Sequence, residues 1–150
     1  MWFIGQLLRS GIEAARPVRD IGVDLVSYAP DADWATFVQL KTVGMDGLTV
    51  HAKYLGQPVA MVYVLLGDVD GGTAGRRQTS AFMMTPEQAW SLPTGLGLRH
   101  DADSAGTYRF STLTRALLAR LEDFRVPADA WAQRLSSLAP LRFANLGTSE

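Results

Sequence analysis

Asp24, Gln39 and Lys41 carry the chemical potential of this chain. Gln39 and Lys41 share the apolar run Phe37-Val38-Gln39-Leu40-Lys41-Thr42. Alternation along a strand turns both to one face and sends Val38 and Leu40 to the other. An ammonium within an apolar strand is costly without a partner. Asp24 lies in a second apolar run, Val23 to Tyr28, and the segment between the runs can fold back as a hairpin. That hairpin sets the carboxylate beside Gln39 and Lys41. An acid, an amide oxygen able to ligate a metal and a lysine on one sheet face suit hydrolysis of a phosphodiester. The plainer role for Asp24 and Lys41 is a cross-strand ion pair at a sheet edge.

The elements that must hold these residues follow from pattern. Residues 2 to 9 read as the end of an amphipathic helix stopped by Gly11, and Glu13 to Val18 as a first strand that Pro17 confines to an edge or an end. Val23 to Tyr28 and Trp34 to Val43 are the next strands, joined by the turn-rich Ala29-Pro30-Asp31-Ala32-Asp33. Leu48 to Lys53 alternates apolar and polar. Val59 to Leu66 is continuously apolar, which suits a strand covered on both faces. Ser80 to Met84 can pair as a further strand. Thr85-Pro86-Glu87-Gln88 is a helix start, with a threonine cap, a proline in the first turn and a glutamine three residues after the cap. This helix ends before Pro93. Tyr108 to Ser111 reads as a small strand. A helix from about Thr112 to Phe124 carries Leu113, Leu117, Leu121 and Phe124 on one stripe, and Pro127 opens a last helix through about Leu138. Helix, strands and then helices predict an α+β fold with a mixed sheet.

The segments Arg19-Asp20-Ile21-Gly22-Val23-Asp24 and Val38-Gln39-Leu40-Lys41-Thr42 resemble the PD-(D/E)xK nuclease superfamily, in the variant with glutamine at the second acidic position. The resemblance is closest to small prokaryotic domains and extends more weakly through Lys53-Tyr54-Leu55 and Val59 to Leu66. It implies a restriction-endonuclease-like mixed β-sheet flanked by helices. It also implies a divalent-metal-dependent nuclease acting on DNA, or on RNA, in defence or DNA processing. Asp24, Gln39 and the Leu40 carbonyl would ligate Mg²⁺ or Mn²⁺, which polarises the phosphate and acidifies a bound water. Lys41 would orient that water or stabilise charge on the phosphoryl oxygens. A neutral glutamine ligand implies a weaker metal site until phosphate arrives. Many relatives also place a glutamate on the first helix. This chain has Gln6 there, so either the acid lies before Met1 or the site has lost a ligand; Glu13 is a weaker substitute. The alternative is a catalytically inactive module of the same fold that binds nucleic acid or protein.

A length of 150 residues fits one domain, 1–150, and 47% hydrophobic content suffices for a core. A net charge of −1 announces no global basic field, which leaves nucleic-acid binding to a local patch. With no cysteine there are no disulfides and no thiolate metal sites. The lack of a signal peptide adds to the expectation of a cytoplasmic protein, and Met1-Trp2-Phe3-Ile4 is too short to span a bilayer. No membrane partner is expected, while a homodimer or a partner protein is compatible with the chain. His51 and His100 are isolated and read as structural or solvated. Asp68-Val69-Asp70-Gly71 lacks the remaining positions of a calcium loop, Gly95-Leu96-Gly97 lacks the third glycine of a dinucleotide fingerprint, and Arg76 and Arg77 read as a solvated loop tip.

Overall fold

The computed structural model describes residues 2–19, 22–44, 47–67, 78–100, 106–138 and 141–142. The fold is α+β, and the chain sorts into two compact units, each built from separated segments. The first comprises residues 1–39, 58–60 and 127–150, and the second 40–57 and 61–126.

The first unit opens with helix α1, Trp2–Arg9, whose buried face carries Phe3, Gln6 and Leu7. Gly11 ends it in the left-handed region at φ +73°, and the Ile12 N–H returns to the Leu7 carbonyl at 2.9 Å. This is the glycine stop that the sequence signals. Strand β1, Glu13–Ala15, is shorter than its apolar run suggests, because the chain leaves the sheet before Pro17. Strand β2, Leu25–Tyr28, lies between β1 and strand β3, Trp34–Val43, and both pairings are antiparallel. The two-residue strand β8, Leu141–Arg142, pairs antiparallel with the start of β3. Helix α5, Trp131–Ser137, begins later than Pro127, which instead opens a turn closed by the Ala130 N–H on its carbonyl at 3.0 Å. Trp131 is fully buried and meets the Phe3 ring edge-on at 4.9 Å. Buried Thr36 donates its hydroxyl to the Leu135 carbonyl at 2.9 Å, tying β3 to α5.

Strand β5, Val59–Leu65, has its first two residues in the first unit and the rest in the second, where it pairs antiparallel with strand β6, Ser80–Met84. Every residue of β5 is buried, which accounts for its unbroken apolar run. Strand β4, Leu48–His51, pairs antiparallel with strand β7, Thr107–Phe110, as a separate ribbon. Gly47 starts that ribbon at φ +87°, where an added Cβ would stand 1.7 Å from the Phe110 carbonyl oxygen. Only glycine fits there.

Helix α2, Pro86–Trp90, carries the capping box foreseen from its sequence. The Thr85 hydroxyl accepts from the Gln88 N–H at 3.1 Å, and the Gln88 amide oxygen accepts from the Thr85 N–H at 2.9 Å. Helix α2 ends before Pro93, as expected, and Pro93 occupies the first turn of a new short helix, α3, Leu92–Gly95. Helix α4, Arg115–Glu122, starts later than Thr112 because Thr114 is the residue that caps it, accepting from the Leu117 N–H at 3.1 Å. Leu117 and Leu121 are fully buried, whereas Leu113 and Phe124 are only partly covered.

After α4 the chain runs along β6. The Met83 N–H reaches the Phe124 carbonyl at 2.9 Å, the Val126 N–H reaches the Ala81 carbonyl at 3.0 Å, and Phe82 bridges Arg125. Arg125 also grips Glu122 with two hydrogen bonds and donates to the Ser80 hydroxyl, each at 2.6 Å. The paired guanidinium holds the Glu122 carboxyl below its ordinary range.

Candidate functional site

Antiparallel register brings the first two candidate residues together. Leu25 faces Val38, so the residue before β2 comes level with the residue after Val38, and the Asp24 N–H closes on the Val38 carbonyl at 2.9 Å. The Gln39 amide nitrogen then donates to the Asp24 Oδ2 at 2.6 Å. Asp24 is exposed, whereas Gln39 is only 6% exposed. Gly22, at φ +76°, turns the chain into this position in a conformation that favours glycine, which explains the Gly-x-Asp spacing.

The Gln39 Oε1 is buried with no hydrogen-bond partner among the described residues. An amide can present either end by turning about its last torsion, and the assignment of oxygen and nitrogen follows the surrounding hydrogen bonds. With Nε2 on the carboxylate, the oxygen is left unsatisfied. Turned the other way, the amide oxygen would lie beside the carboxylate oxygen, and the two could serve as neighbouring ligands of a cation once they part slightly. The pair is therefore chemically able to contribute two oxygen donors to a metal.

Glu13 does not join it. Its Oε2 accepts the Tyr28 hydroxyl at 2.9 Å at the far end of β2, which raises the Tyr28 phenol above its ordinary value. Gln6 sits on the buried face of α1, and its backbone carbonyl accepts the Ser10 hydroxyl at 3.1 Å. No group of three or more His, Asp or Glu side chains suited to a metal occurs among the described residues.

The division between the units falls between Gln39 and Leu40. Leu40 and Lys41 are half-buried residues of β3 in the second unit. Lys41 lines a partly open cavity of about 380 Å³ there, together with Thr42, Thr49, His51, Tyr63 and Arg109. The ribbon supplies three of these by register: Thr49 is opposite Arg109, and His51 is opposite Thr107. His51 Nδ1 lies 3.1 Å from the Thr107 hydroxyl. Tyr63 is fully buried, and desolvation pushes its phenol well above the ordinary value, so it stays protonated. Its hydroxyl donates to the Thr49 carbonyl at 3.5 Å.

Sequence reading treated His51 as isolated and passed over Thr49 and Arg109. The usable signal was polar alternation in both Leu48-Thr49-Val50-His51 and Thr107-Tyr108-Arg109-Phe110. His100 does take the structural role expected of it, with its ring edge-on to Trp90 at 4.1 Å and stacked on Tyr108 at 5.4 Å. Asp20 and Ile21 of the first quoted segment, Asp68 to Gly71, Arg76 and Arg77 lie outside the described residues. No helix among the described residues is long and apolar enough to cross a membrane. No family model and no curated protein matches the chain.

Proposed function

We propose that the chain hydrolyses phosphodiester bonds of nucleic acid, with DNA as the first substrate to test and a divalent cation as cofactor. The observation that carries this reading is the Asp24–Gln39 contact at 2.6 Å, which joins the two residues that the PD-(D/E)xK resemblance pairs. Asp24 and a turned Gln39 amide are the residues that would hold Mg²⁺ or Mn²⁺. Once bound, the ion supplies Lewis-acid polarisation of the phosphate and a more acidic water. Asp24 would provide the charged oxygen and the turned Gln39 amide a neutral one. The resemblance assigns to Lys41 the stabilising of negative charge on the phosphoryl oxygens. In the reaction, the water oxygen bonds to phosphorus, one P–O ester bond breaks and the leaving oxygen receives a proton.

A second reading, a non-catalytic nucleic-acid-binding module, is favoured by one feature. The amide nitrogen, not the oxygen, faces Asp24. Calorimetry with Mn²⁺ and cleavage assays on DNA and RNA separate the two. The enzyme reading expects Asp24→Asn to lose both metal binding and cleavage, and Lys41→Ala to keep the metal but lose cleavage. A folded wild-type protein that neither binds Mn²⁺ nor cuts any nucleic acid overturns hydrolysis in favour of the binding module.

A further inference from the structure

Two fully buried polar atoms of the first unit, the Ser27 hydroxyl oxygen and the Trp131 indole nitrogen, have no hydrogen-bond partner among the described residues. An unpaired polar group in an apolar interior is costly, and native folds pair it with protein or with an enclosed water. Both atoms belong to one layer. Antiparallel register sets Ser27 level with Ala14 on β1 and with Thr36 on β3, so these three short side chains share one face of the sheet. That face is the covered one, because Glu13 and Ala15 on the other side of β1 are exposed. Helix α1 packs on β1, and the Thr36–Leu135 hydrogen bond holds α5 over β3. Trp131 reaches from α5 to the Phe3 ring of α1 at 4.9 Å, so its indole crosses above β2, the strand between. Ser27 is the middle residue of the row beneath it.

A direct hydrogen bond from the indole to the serine would satisfy both atoms, and the fold does not make one. The valences fit a third molecule. The indole N–H can only donate, and the Ser27 hydroxyl both donates and accepts. Thr36 Oγ1 has its proton on the Leu135 carbonyl and keeps lone pairs to accept with. None of the three groups carries a charge that could pair with an ion. A small neutral ligand that accepts two hydrogen bonds and donates one meets all of them. That description is water, which makes about three hydrogen bonds when enclosed in a protein.

We propose that Ser27, Thr36 and Trp131 hold one enclosed water that joins the β2–β3 pair to α5. The indole and the Ser27 hydroxyl donate to its oxygen, and one of its protons goes to Thr36 Oγ1. The site stands apart from the proposed hydrolysis and needs no metal. A high-resolution crystal structure should show one water within about 3.2 Å of Trp131 Nε1, Ser27 Oγ and Thr36 Oγ1. In solution, oxygen-17 relaxation dispersion counts long-lived waters without interference from exchanging hydroxyl protons. That count should fall by one water in Ser27→Val, which removes a partner and fills the space with methyl groups. Ser137→Ala, which removes an exposed hydroxyl bonded to its own helix, should leave the count unchanged. Circular dichroism confirms that each variant is folded. If Ser27→Val is not, the nearly isosteric Thr36→Val carries the test with the same expected loss. No density at that point, or an unchanged count in the folded Ser27 or Thr36 variant, overturns the site. A crystal structure in which the indole bonds directly to Ser27 Oγ overturns it as well.

Discussion

Asp24 and Gln39 meet at 2.6 Å over a buried amide, whereas Lys41, His51 and Arg109 surround a partly open cavity. The first arrangement is largely satisfied by the chain itself, apart from one amide oxygen. The second is a cavity of about 380 Å³ lined by side chains from four strands. The difference predicts where substitution is felt. A buried donor that loses its acceptor affects folding, because desolvation is no longer compensated. An exposed cation at a cavity affects what enters it.

The largest effect should come from Gly47→Ala, at the entrance to the ribbon. Its left-handed backbone alone costs about 1–3 kcal/mol once a Cβ is present. The Phe110 carbonyl oxygen, 1.7 Å from that Cβ, forces β4 and β7 apart as well. Urea denaturation should show the loss. Asp24→Ala comes next. Removing the acceptor of the buried Gln39 amide should cost about 1–3 kcal/mol by the same measurement. A neutral result would mean that the pair contributes nothing to folding and would remove half of the contrast. The smallest effect is reserved for Arg109→Ala, an exposed position, at within about 0.5 kcal/mol. If it proves more destabilising than Asp24→Ala, the ribbon face is structural and the comparison is reversed.

The sequence made the pair far easier to see than the cavity, for a physical reason. Asp24 and Gln39 sit on adjacent antiparallel strands joined by a short turn, where the period of two and the Pro30 to Asp33 turn residues define the facing. The Thr85 cap and the Gly11 stop were equally local and equally readable. The start of α4 was misplaced because Thr112 and Thr114 are both good caps, and the choice depends on which hydroxyl meets the Leu117 N–H. The cavity draws on β3, β4, β5 and β7, and its His51–Thr107 contact joins residues 56 apart in sequence. No spacing rule reaches that far. His51 looked isolated because its neighbours arrive only through the ribbon register.

The segment that follows α4 has a consequence for colloidal behaviour. Strand β6 ends its sheet, and a bare terminal strand offers backbone donors and acceptors to any extended chain that drifts past. Phe124 to Val126 cover that row, and the Arg125–Glu122 grip keeps them in place. Because Glu122 titrates below its ordinary value when folded, the grip is complete above that ordinary value and is lost as pH falls through the depressed one. Acid should therefore loosen the cover, and light scattering should rise before the far-ultraviolet dichroism of the fold is lost. Arg125→Ala should show the same early stickiness at neutral pH. If neither treatment raises scattering, the Arg125–Glu122 contact plays no part in covering that edge.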